Sequence, residues 1–80
     1  MNVVVRSYGI MGDLIGKNLE LDLPEESRLG DLARVLVAEY PDASAALRSC
    51  RFAIGDSFAS TESYIGKGAI VAILPPFSGG

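Results

Sequence analysis

Histidine and tryptophan are absent from these 80 residues, and cysteine occurs once, at Cys50. Without an imidazole, catalysis by a Cys–His or Ser–His pair is excluded, and a lone thiol can form neither an intramolecular disulfide nor a Cys/His metal or iron–sulfur site. No metal site is therefore expected. Cys50 reads as a small residue at the surface or the edge of the core, with a reactive thiol as the competing reading. No apolar run approaches the length of a membrane span, and the chain opens on an alternating strand instead of a signal-peptide pattern. The expectation is a cytoplasmic protein, or one of another reducing compartment, with no membrane partner. Basic charge is also scarce: seven Lys and Arg stand against ten Asp and Glu, for a net charge of −3. That balance gives no footprint for nucleic acid, and an acidic surface suits a basic protein partner.

What is present is apolar and patterned. Hydrophobic residues make up 49% of the chain, which argues for a folded globule, and the length suits one domain with one core. Val3, Val5 and Ser7 alternate with Val4, Arg6 and Tyr8, predicting a first strand over residues 2–8. Gly9, Gly12 and Gly16 then punctuate Ile10, Met11, Leu14 and Ile15, which predicts a loop rather than a regular helix. Leu19, Leu21 and Leu23 alternate with Asn18, Glu20 and Asp22 in a second strand that stops at Pro24. Leu29, Leu32, Ala33, Leu36, Val37 and Tyr40 form a single helical stripe, with Ser27 as the expected cap, Glu25, Glu26 and Asp31 near the positive end of the dipole, and Pro41 past the C-terminal end. A short helical turn is expected within 42–48. Phe52, Ile54 and Phe58 mark a further strand region around a Gly55-Asp56 turn, and 62–68 reads as a loop with Tyr64 and Ile65 dipping inward. Ala69 to Leu74 is a continuous apolar run of strand length, suited to a last strand buried or partner-covered on both faces.

The run ends in Pro75-Pro76-Phe77-Ser78-Gly79-Gly80. Two prolines remove two backbone donors and fix φ twice, which ends the strand and launches the tail in a stiff, extended direction. Phe77 to Gly80 would reach roughly 13 Å if fully extended. Gly79 and Gly80 carry no Cβ, so they can thread a channel too narrow for other residues and present an unhindered carboxylate, that of Gly80, to a partner's active site. Frayed termini are often glycine-rich as well. A frayed end, however, gives no reason for two prolines and an aromatic residue ahead of the glycines. If Val71 and Ile73 face the helix, then Ala72 and Leu74 face away, and an apolar face with no helix over it is a candidate docking patch. Tyr8 and Phe58 are placed with Leu74 in that patch, with ordinary core packing as the competing reading for each. Ile10, Met11 and Leu14 are candidates to enlarge it.

Strand, strand, helix, short helix, hairpin and final strand, followed by Leu74-Pro75-Pro76-Phe77-Ser78-Gly79-Gly80, resembles the MoaD/ThiS family of ubiquitin-like sulfur carriers. Within that family the diproline is most similar to the small subunit of molybdopterin synthase. Leu29-Gly30-Asp31-Leu32 and Ala53-Ile54-Gly55-Asp56 add to the likeness, whereas Gly12, Gly55 and Ala69 stand where the family usually has Arg, Asn and Asp. The resemblance implies an α+β, ubiquitin-like β-grasp domain over 1–74, a mixed sheet of four to five strands with one main helix on one face, and an extended tail over 75–80. It also implies no bound cofactor. An E1-like enzyme would use ATP to adenylate Gly80, and a sulfur donor protein would convert it to a thiocarboxylate. The tail, through Pro75, Pro76, Phe77, Ser78 and Gly79, would then thread into a molybdopterin synthase large subunit that supplies the catalytic groups of a heterotetramer. Sulfur carriage for thiamin, cysteine or thionucleoside synthesis, conjugation through Gly80 as a protein modifier, and an interaction module with an inert tail are the alternatives.

Overall fold

A computed structural model of the chain describes residues 1–75. The opening alternation produces β1 (Asn2–Ser7), whose inward Val3 and Val5 are fully buried. The glycine-punctuated segment is a short helix, α1 (Ile10–Ile15), and not the loop expected from its composition. Two of its three glycines, Gly9 and Gly16, lie outside the helix as its caps, and turning Met11 and Ile15 into the core outweighs the weak propensity of the six residues between. Gly12 is the only glycine inside it, and a Cβ there would stand 3.2 Å from the Ser7 carbonyl oxygen and from the Lys17 stem.

After β2 (Asn18–Asp22) comes the main helix α2 (Leu29–Glu39), which buries Leu29, Leu32 and Leu36 while Ala33 and Tyr40 lie half-buried and Val37 sits at the exposed rim of the stripe. Its start differs from expectation. Ser27 does not cap it; the Ser27 hydroxyl donates to the Pro24 carbonyl at 2.6 Å, and Glu25 and Glu26 lie in the preceding turn. Arg28 occupies the cap position with no side-chain acceptor, so the Leu29 and Gly30 N–H groups donate instead to the carbonyls of Ser63 and Thr61, at 3.0 and 2.9 Å. The Arg28 N–H in turn donates to the Asp31 carboxylate at 2.9 Å. A distant loop therefore closes the helix terminus. Arg28 clasps that loop, donating to the Tyr64 hydroxyl at 2.7 Å and pairing with Glu62 at 3.2 Å, which holds Tyr64 outside; only Ile65 dips into the core.

A 3₁₀ turn (Pro41–Ala43) and α3 (Ser44–Ser49) lead to the hairpin of β3 (Arg51–Ile54) and β4 (Ser57–Ala59), and β5 (Ile70–Leu74) comes last. The sheet order is β2-β1-β5-β3-β4, with β5 parallel to β1 and antiparallel to β3. The final strand is thus central, and no edge of it is open. One face of the sheet presents Val3, Val5, Val71 and Ile73 to Leu29, Leu32 and Leu36 of α2, with Met11, Ile15, Leu47 and Ile65 closing the core. Each fully buried aliphatic side chain contributes about 1.5–3 kcal/mol. Burial on one face and exposure on the other, around a mixed five-stranded sheet with one main helix, is the ubiquitin-like β-grasp arrangement expected from the order of elements.

Candidate functional site: the tail root and the open face of the sheet

Alternation along β5 decides which side chains reach the open face. Val71 and Ile73 are fully buried toward α2, so Ile70, Ala72 and Leu74 point the other way, as the period of two requires. Register across the strands arranges their neighbours in rows. Leu74 stands opposite Arg51, and Tyr8, whose N–H donates to the Ile73 carbonyl at 3.2 Å, carries the alternation of β1 one residue past its end onto the same row. The next row runs Asn18, Arg6, Ala72, Ala53, Phe58, and the one beyond it holds Glu20, Val4 and Ile70.

All three expected docking residues therefore share one face. Tyr8 and Phe58 are 47% and 59% exposed, and Leu74 is half-buried beside them, so none of the three belongs to the core. The Arg51 guanidinium lies over the Phe58 ring at 4.1 Å and holds it in place on the surface. Of the three residues proposed to enlarge the patch, Met11 is fully buried, Leu14 is half-buried against the core, and only Ile10, at 59% exposure, is free to take part. α1 is a helix with an inward face, and that face takes Met11 away.

The tail root is anchored at Pro75. Gly9 holds φ +59°, a conformation that L side chains rarely adopt, and a Cβ there would approach Pro75 Cγ to 3.1 Å. The turn after β1 and the start of the tail thus pack backbone against ring, which fixes where the chain leaves the sheet. Neither the seating of Pro75 on Gly9 nor the placement of Arg51 has a signal in the local sequence. Gly9→Val is expected to cost about 1–3 kcal/mol through backbone strain and displacement of Pro75, seen as a lower urea midpoint at an unchanged slope; an unaltered midpoint would show that the contact does not constrain the root. Pro76, Phe77, Ser78, Gly79 and Gly80, the residues expected to thread and react, lie outside the described residues.

Elsewhere the described residues offer little chemistry. No group of three or more His, Cys, Asp or Glu is placed among them to hold a metal ion, and no helix is long and apolar enough to cross a membrane. Cys50 lines a cleft of about 480 Å³ with Leu47, Arg48, Phe52, Phe58 and Thr61, and burial pushes its thiol up from the ordinary value. A raised thiol pKa leaves less thiolate at neutral pH, and the Cys50 side chain is half-buried against the core.

A model of the ThiS family matches residues 5–80. The chain is similar to SAMP1 from Haloferax volcanii, with a TM-score of 0.86 over 100% of both chains at 17% identity. A chain from the protein–protein complex of subunits 1 and 2 of molybdopterin-converting factor from Helicobacter pylori is 25% identical, with a TM-score of 0.71 and 100% of both chains covered. Urm1 from Trypanosoma brucei gives 20% identity and a TM-score of 0.71, over 99% of this chain and 95% of that one.

Proposed function

Because the chain belongs to the ThiS family of ubiquitin-like sulfur carriers and modifiers, we propose that it carries sulfur as a thiocarboxylate on Gly80 and donates it in molybdopterin synthesis. The observation that carries this reading is the geometry of the tail root. Pro75 is seated on Gly9 at the end of the central strand, next to an uncovered face bearing Leu74, Tyr8 and Phe58, so a partner docked on that face receives the tail at a fixed place.

A carboxylate is a poor electrophile because resonance and charge protect its carbon, so activation comes first. A Gly80 oxygen attacks the α-phosphorus of ATP in an E1-like adenylating enzyme, and pyrophosphate leaves. Sulfur at the sulfide level, supplied by a donor protein, then attacks the acyl carbon and expels AMP. The product is a nucleophilic sulfur at the C-terminal end of the chain. A molybdopterin synthase large subunit would accept that end and supply the catalytic groups, in a heterotetramer. Pro75-Pro76 and the likeness to the Helicobacter pylori chain, whose protein is described in complex with its subunit 2, favour this branch over sulfur carriage for thiamin, cysteine or thionucleoside synthesis. The likeness to the Haloferax volcanii and Trypanosoma brucei proteins supports a second reading, in which the same adenylate forms an isopeptide bond with a lysine of a target protein.

Threading of the tail gives the test. Gly79→Val is expected to impair sulfur transfer more than Ser78→Ala, because a β-branched side chain both stiffens the backbone and widens it inside a narrow channel. A sulfur-transfer assay that ranked the two variants the other way would show that the tail is not threaded.

A further inference from the structure

The charges on the open face are sorted, and the sorting runs against the net charge of the chain. All seven basic side chains lie among the described residues; Arg28, Arg34 and Lys67 are paired with Glu62, Asp31 and Glu25, at 3.2, 3.6 and 3.3 Å. Arg6, Lys17, Arg48 and Arg51 have no carboxylate partner among the described residues. Three of these four gather at the tail root. Arg51 stands directly across from Leu74, Arg6 directly across from Ala72, and Arg6 shares with Lys17, Tyr8 and Gly9 the lining of a shallow cleft.

The carboxylates of the same face sit at the far corner and are already engaged. Glu20 accepts from the Asn2 amide at 3.0 Å, and Asp22 pairs with the N-terminal amine at 3.1 Å. The face therefore presents an apolar row, Leu74-Ala72-Ile70, flanked toward the end where the tail departs by Arg6 on β1 and Arg51 on β3, neither with a carboxylate partner among the described residues and the Arg51 guanidinium lying over Phe58. A net charge of −3 points to a basic partner, whereas the local field at the tail root points to an acidic one.

We propose that the protein surface receiving this face has an apolar strip bordered by carboxylates on both sides, which engage Arg6 and Arg51 and set the register in which the tail enters. The inference rests on the reading that this face docks to the tail-activating partner, and it adds the partner's chemistry to that reading. An apolar strip alone would let the carrier slide along the direction of β5. Two cations flanking β5, Arg51 across from Leu74 and Arg6 across from Ala72, oppose such sliding, because displacement along the strand separates both from their carboxylates at once. Electrostatic complementarity of this kind raises the association rate and fixes orientation more than it adds affinity.

The test uses the full chain and the adenylating enzyme of the same organism, with ATP–pyrophosphate exchange measured against carrier concentration. Arg6→Glu and Arg51→Glu are each expected to raise the KM for the carrier by about tenfold or more at low salt, with unchanged thermal midpoints. The deficit shrinks near ~1 M salt, where the screening length falls to about 3 Å. Arg51→Lys keeps the charge and stays close to wild type, which separates charge from loss of stacking on Phe58. Leu74→Asn, which adds no charge, checks the docking face itself. If Leu74→Asn is impaired while both Arg→Glu variants behave as wild type, or lose equally at low and high salt, the acidic-partner inference is overturned and the docking face stands. If Leu74→Asn and both Arg→Glu variants are all activated normally, the docking face and the inference fall together.

Discussion

Deletion of Gly80 is expected to abolish ATP–pyrophosphate exchange with the adenylating enzyme while the far-UV spectrum and thermal midpoint stay unchanged. The carboxylate is then carried by Gly79, one residue short of a channel matched to the full tail, and a reach of about 3.3–3.6 Å is lost per residue. The fold has no stake in the change, since its core is closed by Val3, Val5, Val71, Ile73 and the α2 leucines, all within the described residues. Residues appended after Gly80 should have the same effect, because they remove the free carboxylate altogether. Normal exchange by the deletion variant would sink the assignment of Gly80 as the reacting residue.

Leu74→Glu is the second large effect. The new carboxylate would stand across from Arg51 on the open face, where water and a cross-strand ion pair both accommodate it, so near-normal thermal stability is expected. Docking removes that hydration. A charge buried against an apolar strip carries a desolvation cost, and binding to the adenylating enzyme or the large subunit should weaken by at least about tenfold, equivalent to ~1.4 kcal/mol. Unfolding of the variant would mean that Leu74 supports the core and that the facing of β5 is inverted. Normal folding together with normal binding to both partners would move the interface elsewhere, with Ile10 the next residue to examine.

Local period made much of this legible. Leu29, Leu32 and Leu36 fell on one helical stripe, and the alternation from Val71 to Leu74 gave both the buried pair and the outward residues. Where the chain misled, long-range packing had overridden local preference. Three glycines in eight positions argued against a helix, yet Met11 and Ile15 needed one to reach the core. Ser27 had the chemistry of a cap, but carbonyls of Thr61 and Ser63 reached the same N–H groups first. Tyr64 looked inward by its apolar ring, and the Arg28 clasp keeps it on the surface. Neither the contact of Gly9 with Pro75 nor the pairing of Arg51 with Leu74 has a local signature, because each depends on which strands become neighbours in the sheet. Their positions at the tail root are thus the part of the site that only the fold could supply.

Intact-mass measurement of the protein, co-expressed with its own adenylating enzyme and sulfur donor and isolated without reductive or acidic treatment, tests the central claim most directly. The account predicts a population heavier by the exchange of one oxygen for one sulfur, with the change mapped by fragmentation to Gly80 and absent from the Gly80 deletion. A chain that stays at its unmodified mass under those conditions, with the adenylating enzyme active, would contradict it.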